Sequence, residues 1–206
     1  KTNNFLTYGF NKSSNYQIIN VIKKMNYSIF DLRVKFSGDE IYKIQNIKVN
    51  LIGDHNITNT TASIAIALNL GIKASKIKKA LTKFSGIQRR FTKVFSIDNR
   101  DFYDDYAHHP TEIRAVINSA RQVYADRKII CVFQPHRYSR VKSLKKEFAL
   151  SFKLSSAVVL CPVYAAGEKI DNNFSQDYFS QLISKESGIQ VINIKNQNEL
   201  KNFLKK

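Results

Sequence analysis

The second half of the chain alternates short apolar runs with longer amphipathic stretches, and this alternation limits the folds it can adopt. The apolar runs lie at 128–133, 156–161 and 190–194. Two helical stripes accompany them: Ile113, Val116, Ile117, Ala120, Val123 and Tyr124, and then Val141, Leu144, Phe148 and Phe152. Alternating strands and helices predict a doubly wound α/β domain around a parallel sheet. Such sheets bind ligands at the carboxyl ends of their strands.

The first half of the chain begins with a β-rich pattern. Residues 16–21, 28–36 and 41–51 carry many β-branched and aromatic side chains, which predicts three strands. Gly38-Asp39 lies between the last two of them and predicts a hairpin turn.

Helical periodicity follows these predicted strands. Residues 59–70 are apolar on nearly every side, which predicts a buried helix that ends at Gly71. A second helix is predicted over 75–84, with Ser75 as its N-cap. The segment Ser85-Gly86 then predicts a domain boundary, which gives domains 1–86 and 87–206.

Composition places the chain among globular proteins of a reducing compartment. Apolar residues make up 43% of the chain, which is enough for a hydrophobic core. No apolar run approaches the roughly 18 residues of a membrane span, and no secretion leader opens the chain. Cys131 and Cys161 sit inside apolar runs and are predicted to be small buried hydrophobes. A cytoplasmic location is therefore expected.

The net charge of +17 suggests nucleic acid as a partner at first sight. The lysines and arginines are scattered, however, and aromatic residues do not interleave with them as in RNA-binding modules. The charge therefore predicts solvated helix faces and steering of anionic substrates. A basic nucleic-acid-binding module stays open as an alternative.

Two polar segments follow predicted strands, and such costly side chains at loop positions indicate a site. The first, 104–112, contains three acids and two histidines, and the second, 133–140, contains His136, Arg137 and Arg140. Pro110 is predicted at the first position of a helix, whose amide-rich start favours an anion beside the histidines.

The arginines of the second segment predict a carboxylate ligand. If a helix begins near Ser139, Arg137 and Arg140 lie on the same side of the chain and can clamp one small carboxylate. The helix dipole disfavours cations at a helix start, so their presence itself indicates an anionic ligand.

Two further segments in the first half carry candidate nucleotide contacts. Asn56 and Asn59 lie three residues apart at a helix start, where their amides could read an adenine edge. The alternative is N-capping of that helix by Asp54 or Asn56. Arg90, at the predicted domain boundary, could form an ion pair between domains. The chain has no glycine-rich phosphate loop.

Segments 54–59, 88–91, 104–112 and 133–140 together resemble the Mur ligase family, over nearly the whole chain but only the back part of such an enzyme. The resemblance implies the rear of the central ATP-binding domain, followed by a Rossmann-like C-terminal domain. It implies these nucleotide contacts: His55, Asn56, Asn59, Arg90 and Asp105. It implies an amino-acid pocket of Tyr106, His108, His136, Arg137 and Arg140, with His108 and His109 as catalytic residues.

The implied reaction is an ATP-dependent ligation in peptidoglycan synthesis. The lactyl carboxylate of UDP-N-acetylmuramate would be phosphorylated, and the amine of L-alanine would attack the acyl phosphate. ATP and Mg²⁺ are the implied cofactors, and the metal ligands and phosphate loop are expected upstream of Lys1. No metal site is expected in the chain itself, and the fragment alone is expected to be inactive. Its partners would be these small molecules, without nucleic acid or membrane.

Other members of the family stay open as alternatives. A sister ligase that attaches a whole peptide to the same sugar nucleotide shares the first polar segment but departs from the pattern at 133–140. A later Mur ligase, which adds glutamate or a diamino acid, fits both segments less well. Oligomeric state, selectivity among small amino acids and the role of 163–168 do not follow from the sequence.

Overall fold

The computed structural model describes residues 5–35 and 41–205. The chain divides between Asp104 and Asp105 into two compact units. The domain boundary predicted at Ser85-Gly86 lies inside the first unit and stays a prediction.

The first unit opens with a four-stranded sheet. Its strands follow one another in space as they do along the chain: β1 (Tyr8–Gly9), β2 (Tyr16–Lys23), β3 (Ser28–Lys35) and β4 (Ile41–Val49). β1 runs parallel to β2, and the other neighbours are antiparallel. In β3 every second residue is buried, as expected for a strand with one face on the core. The three predicted strands are confirmed, and the turn predicted at Gly38-Asp39 lies outside the described residues.

Two helices, α1 (Asp54–Asn69) and α2 (Ala74–Lys83), pack on this sheet. Side chains of α1 and of the strands form one apolar cluster: Tyr16, Ile18, Phe30, Leu32, Val34, Ile44, Ile47, Val49, Ile57, Ile64 and Ala65. The sequence predicted a fully buried first helix, but Ile66 is 64% exposed. α1 therefore buries a stripe rather than its whole surface.

The C-terminal end of α1 agrees with the sequence prediction, whereas the N-terminal end of α2 does not. α1 ends before Gly71, whose φ of 80° is the left-handed conformation that glycine adopts at low cost. Ser75 is not the N-cap of α2, because the helix begins one residue earlier. Its N-cap is Lys73, which makes no side-chain capping bond.

The first unit ends in a hairpin of β5 (Thr92–Ile97) and β6 (Arg100–Asp104). Asp98 and Asn99 form its turn, both with positive φ, as a type I′ turn requires. The strand predicted around 101–103 is therefore confirmed, but it is antiparallel to β5. The first polar segment thus follows a hairpin strand rather than a strand of the parallel sheet.

The second unit is built on a parallel sheet of β7 (Ile130–Phe133), β8 (Ala157–Leu160) and β9 (Gln190–Asn193), in that order. Its helices are α3 (Pro110–Val123), α4 (Tyr138–Ser143), α5 (Lys145–Leu150), α6 (Gln176–Ser187) and α7 (Gln197–Leu204). The apolar stripe over Val141–Phe152, which the sequence predicts as one helix face, is divided at Leu144 between α4 and α5.

Apolar side chains cover both faces of this sheet. Val158 and Leu160 of β8 pack in the main cluster with side chains of α3, α5 and α6. Val159, on the opposite face, packs near Leu200 and Phe203 of α7. Helices on both faces of a parallel sheet define the doubly wound α/β arrangement that the sequence predicted.

Neither cysteine is in a disulfide, and Cys161 is buried whereas Cys131 is half-buried. Burial raises the pKa of the Cys131 thiol to about 12 and also raises the pKa of Cys161, so both stay protonated at neutral pH. Among the described residues, no helix is both long enough and apolar enough to span a membrane.

Candidate functional site

In the first unit, the candidate nucleotide contacts stand at the start of α1. Gly53 is the N-cap, with φ of 93°, and its carbonyl oxygen accepts the N–H groups of Asn56 and Ile57. No side chain caps this helix, so capping by Asp54 or Asn56 does not occur. Asp54 instead forms an ion pair with Lys23 at 2.7 Å.

The two asparagines differ in their surroundings. Asn56 is buried, and its Nδ2 donates to the carbonyl oxygen of Ile52 at 2.8 Å, which fixes the side chain. Asn59 lies almost one turn further along the same face and is exposed. His55 is half-buried beside them. At the start of α1, the amide of Asn56 is therefore fixed and the amide of Asn59 is accessible.

Arg89 and Arg90 follow α2 in an irregular segment. Arg89 has φ of 59°, and its Nε lies 3.5 Å from Oδ2 of Asp104 within the same unit. Both side chains of that pair are largely exposed, so the pair contributes little to stability. Arg90 is exposed and its backbone N–H donates to Thr92. The pair of Arg89 and Asp104 lies within one unit and does not test the interdomain ion pair considered for Arg90, whose nucleotide role stays a hypothesis.

In the second unit, the first polar segment forms the entry to α3. Oδ1 of Asp105 accepts the N–H of Ala107 at 2.6 Å, which orients its carboxylate. α3 begins at Pro110, as the sequence predicted, and His109 is its N-cap. Nδ1 of His109 accepts the N–H of Thr111, and Glu112 accepts the N–H of His109 in return. His109 therefore has a structural role, and its catalytic role stays a prediction.

His108 is held in one tautomer by its neighbour Tyr106. Its Nδ1 lies 2.9 Å from the carbonyl oxygen of Tyr106. Because a carbonyl oxygen only accepts, Nδ1 carries the proton and Nε2 is the basic nitrogen of the neutral ring. The backbone N–H of His108 donates to Glu112 at 3.0 Å, so the loop is anchored to the helix start.

The second polar segment leaves the carboxyl end of β7 and remains paired with the chain that follows β8. His136 and Tyr164 form a parallel bridge. The N–H of Tyr164 donates to the carbonyl of Pro135 at 2.8 Å, and the N–H of Arg137 donates to the carbonyl of Tyr164 at 2.9 Å. The loops after two adjacent strands therefore meet at one sheet edge.

The two polar segments are in contact through a row of four rings. The centroids of Tyr106 and His108 are 5.0 Å apart, those of His108 and His136 are 5.6 Å apart, and those of His136 and Tyr164 are 5.5 Å apart. The sequence predicted that the first three of these rings share a site. Their mutual contact in the second unit is the geometric core of that site.

Arg140 extends this row with a positive charge. Its Nη1 lies 3.3 Å from Nδ1 of His136 and 3.3 Å from the carbonyl oxygen of His136. A guanidinium only donates, so Nδ1 of His136 accepts and the ring is neutral. Desolvation lowers the pKa of His136, as do the charges of Arg140 and Arg137 and, when it is protonated, the neighbouring His108 ring, while Glu168 opposes them. The site is thus a cationic patch next to a neutral imidazole.

Arg137 adopts a backbone conformation that side chains rarely take. Its φ is 71°, in the left-handed region, and it is the N-cap of α4 without a side-chain capping bond. α4 begins at Tyr138, one residue before the predicted start. Strained backbone of this kind persists only where the surrounding structure enforces it, and it is concentrated at functional sites.

The segment 163–168 had no role assigned from the sequence, and in the structure its last residue, Glu168, binds the start of α4. Glu168 accepts hydrogen bonds from the backbone N–H of Ser139, at 3.1 Å, and from the hydroxyl of Ser139. These bonds lower the pKa of Glu168 below its usual range. The signal available in the sequence was position alone, because 163–168 follows the strand next to β7. Within the ranges that the structure covers, no three His, Cys, Asp or Glu side chains are placed to hold a metal ion.

The second unit is thus a doubly wound α/β domain with a cationic, histidine-containing site at the edge of its parallel sheet. The family model "Mur ligase, glutamate ligase domain" matches residues 89–204, and the chain belongs to the Mur ligase family. It is 47% identical over 205 residues to the UDP-N-acetylmuramate–L-alanine ligase of Pelagibacter ubique, covering 100% of this chain and 44% of that protein. The corresponding ligase of Ruthia magnifica is 38% identical, with 95% and 42% covered. The chain thus spans less than half the length of these curated relatives.

Solved structures of related ligases have a similar fold. The UDP-N-acetylmuramate-alanine ligase of Thermotoga maritima superposes with a TM-score of 0.71 at 27% identity, covering 96% of this chain and 41% of that chain. A murein peptide ligase of Psychrobacter arcticus gives 0.63 at 19% identity, covering 96% and 40%. The second match supports the fold alone. The predicted fold class and family resemblance are confirmed.

Proposed function

We propose that this chain is the rear part of an ATP-dependent ligase that joins L-alanine to UDP-N-acetylmuramate in peptidoglycan synthesis. The observation that carries the proposal is a chain of contacts from Tyr106 to His108, from His108 to His136 and from His136 to Arg140. It occurs in a chain that aligns along its whole length with an L-alanine ligase at 47% identity.

The chemistry of the ligation fits this cluster. The lactyl carboxylate of the sugar nucleotide receives a phosphoryl group from ATP, the amine of L-alanine attacks the acyl phosphate, and phosphate leaves as the amide forms. The attacking amine must first lose a proton. His108 has its Nδ1 proton committed to Tyr106, so its Nε2 can accept a proton, which is the property of a general base. We therefore assign the catalytic role to His108 before His109.

The carboxylate of L-alanine needs cationic partners in the same place. Arg140 and Arg137 supply them, and guanidinium groups bind carboxylates with good geometry and charge-assisted hydrogen bonds. His136 is neutral and can donate from Nε2 when Nδ1 accepts from Arg140. These groups would orient the substrate and leave its amine facing the basic nitrogen of His108.

ATP is the proposed nucleotide, with Asn59 as its principal contact in the first unit. Asn59 is exposed at the start of α1, where an amide can read the donor and acceptor edge of adenine. His55, Asn56 and Arg90 are assigned to the same ligand. Asp105 is assigned to the ribose hydroxyls, because its carboxylate is already oriented by Ala107.

Mg²⁺ would accompany ATP and neutralise charge on its phosphates. Its ligands are expected in the part of the longer relatives that this chain does not span. The partners are small molecules, and the reaction is assigned to the cytoplasm.

A ligase chimaera tests the proposal. Residues 1–206 replace the matching segment of the Pelagibacter ubique ligase, and phosphate release is measured with ATP, UDP-N-acetylmuramate and L-alanine. Release is expected only when all three substrates are present. A chimaera that is folded by circular dichroism but silent, beside an active parent ligase, would contradict the assignment. Release with a tripeptide in place of L-alanine would favour the peptide-ligase alternative.

A further inference from the structure

The short helix α4 lacks a cap from its own N-cap residue. Its N-cap Arg137 is in the left-handed region and makes no side-chain capping bond. The first N–H groups of a helix have no partner within the helix, so a carboxylate from elsewhere stabilises them well. Glu168, 29 residues further along, supplies that carboxylate to Ser139.

The turn that carries Glu168 is shaped for this contact. Ala166 and Gly167 both have positive φ, at 52° and 88°. The N–H of Glu168 then donates to the carbonyl of Ala165 at 3.1 Å, which closes the turn and directs the side chain back. A Cβ on Gly167 would meet open space, so its positive φ is the only barrier to a side chain there.

Two connections therefore hold the residues that flank His136. Tyr164 is bonded through its backbone to Pro135 and Arg137, and Glu168 is bonded to Ser139. Arg140 follows Ser139 directly in the first turn of α4, and it donates to His136. The direction in which Arg140 leaves the backbone thus depends on where Ser139 is held.

We propose that Glu168 is a positioning residue of the ligase: by holding Ser139 at the start of α4, it fixes the orientation of Arg140 toward His136. The proposal rests on the proposed function, in which Arg140 and His136 bind the carboxylate of the amino-acid substrate. Glu168 need not touch the substrate, because its effect passes through Ser139 and the first turn of α4.

Several charged groups act on His136, so its pKa does not depend on the position of Arg140 alone. Desolvation lowers the pKa of His136, as do Arg140, His108 and Arg137, and Glu168 raises it. Removing Glu168 subtracts its charge, whereas displacing Arg140 has the opposite effect on His136. The pKa of His136 is therefore a poor measure of position, and a distance-dependent signal is needed.

The first experiment measures that signal in the 206-residue chain itself. Nuclear Overhauser contacts between the side chains of Arg140 and His136 are compared in wild type, Glu168→Ala, Glu168→Gln and Ser139→Ala. Gln keeps one acceptor oxygen for Ser139, so it should retain most of the contact that Ala loses. Unchanged contacts in Glu168→Ala would overturn the proposal.

The second experiment measures kinetics in the ligase chimaera. Glu168→Ala should raise the KM for L-alanine about 3- to 10-fold, as expected for the loss of roughly one net hydrogen bond. The KM for ATP should hold steady, and Glu168→Gln should lie between wild type and Ala. Glu147→Ala, which removes an exposed carboxylate of α5, is the matched control and should change neither constant.

The outcomes separate this proposal from the proposed function. A lost contact between Arg140 and His136 with an unchanged KM for L-alanine would remove the carboxylate-site assignment and leave the positioning intact. Equal effects of Gln and Ala at position 168, with Ser139→Ala like wild type, would assign the effect to charge and overturn positioning. Should Glu168→Ala fail to fold, Gly167→Ala strains the same turn and is expected to reproduce its effect more weakly.

Discussion

Arg140, in the first turn of α4, donates to Nδ1 of His136, four residues earlier in the chain, at 3.3 Å, and so makes an imidazole its hydrogen-bond acceptor. The bond requires His136 to be neutral, and desolvation together with the nearby positive charges lowers its pKa in agreement. A guanidinium has five N–H groups, so Arg140 can bind a carboxylate while it holds the ring. One residue can therefore bind an anion and fix the proton position of its neighbour.

Substitution of Arg140 tests its assignment to the substrate carboxylate. In the ligase chimaera, Arg140→Ala should raise the KM for L-alanine about 10- to 100-fold, the effect of a charged hydrogen bond worth roughly 1.5–3 kcal/mol. The contact exists in ground and transition states alike, so kcat should change less. The KM of Arg140→Lys for L-alanine should lie between those of wild type and Arg140→Ala, because lysine keeps the charge but lacks the planar guanidinium. Steady-state kinetics with L-alanine varied at saturating ATP give these constants.

Two other results would change that assignment. An unchanged KM for L-alanine in Arg140→Ala would exclude the carboxylate contact. A fall in kcat at constant KM would instead indicate that Arg140 meets the phosphorylated sugar intermediate. Arg114→Ala is the control, because this exposed arginine of α3 lies outside the proposed pocket.

The lowered pKa of His136 predicts a dependence of stability on pH. As pH falls below about 6.5, the unfolded chain takes up a proton at this residue before the folded chain does. The contribution of His136 is therefore fully present above the unfolded pKa and is lost as pH falls toward the folded one. Urea unfolding of wild type and His136→Gln at pH 7.5 and 5.5 measures it. The wild type should lose more stability over this interval than the variant, and equal losses would exclude the predicted shift.

The same ring should respond to its neighbour. Arg140 lowers the pKa of His136, so Arg140→Ala should raise it toward the ordinary histidine value. Side-chain NMR titration of the chain measures this change directly, since it contains only four histidines. An unchanged pKa in the variant would show that desolvation, and not the charge of Arg140, sets the shift.

Much of the fold could be predicted from apolar periodicity. The strands β7, β8 and β9 lie within the predicted runs, because strands of a parallel sheet with helices on both faces are rich in apolar residues. The break at Leu144 could not be predicted, since Val141 and Phe148 keep a helical spacing across it. The pairing of β6 was missed, although Asp98-Asn99 is a hairpin turn signal.

The residue types of the site could be predicted from the sequence, but the contacts among those residues could be predicted less well. His136 and Arg140 were recognised from their residue types and their place after an apolar run. The capping role of His109 depends on the local geometry before Pro110, and Glu168 reaches Ser139 across 29 residues. Sequence spacing carries no information on a contact of that kind, because only the adjacency of β7 and β8 creates it.

The core of the second unit predicts a stability effect at Phe148. Its side chain is fully buried between Phe133 and Phe179, and it belongs to the main apolar cluster. Phe148→Ala should lower the free energy of unfolding by about 3–5 kcal/mol, through lost burial and a residual cavity. Leu154→Ala, at a position 47% exposed, should cost far less. Denaturant unfolding gives the free energy of unfolding of both variants, and similar losses of stability would contradict the burial of Phe148.

The nucleotide assignment predicts a kinetic separation between the two substrates. In the ligase chimaera, Asn59→Ala and Asp105→Ala should each raise the KM for ATP and leave that for L-alanine nearly unchanged. Each loses a hydrogen bond to the nucleotide, which corresponds to roughly 0.5–3 kcal/mol, with the upper part of the range for the charged Asp105. Asn69→Ala, at the far end of α1, is the matched control, since its amide donates to Tyr16 and Ala65. If Asn59→Ala and Asp105→Ala affected both substrates equally, as a loss of folded protein would, these residues would stabilise the fold rather than bind ATP.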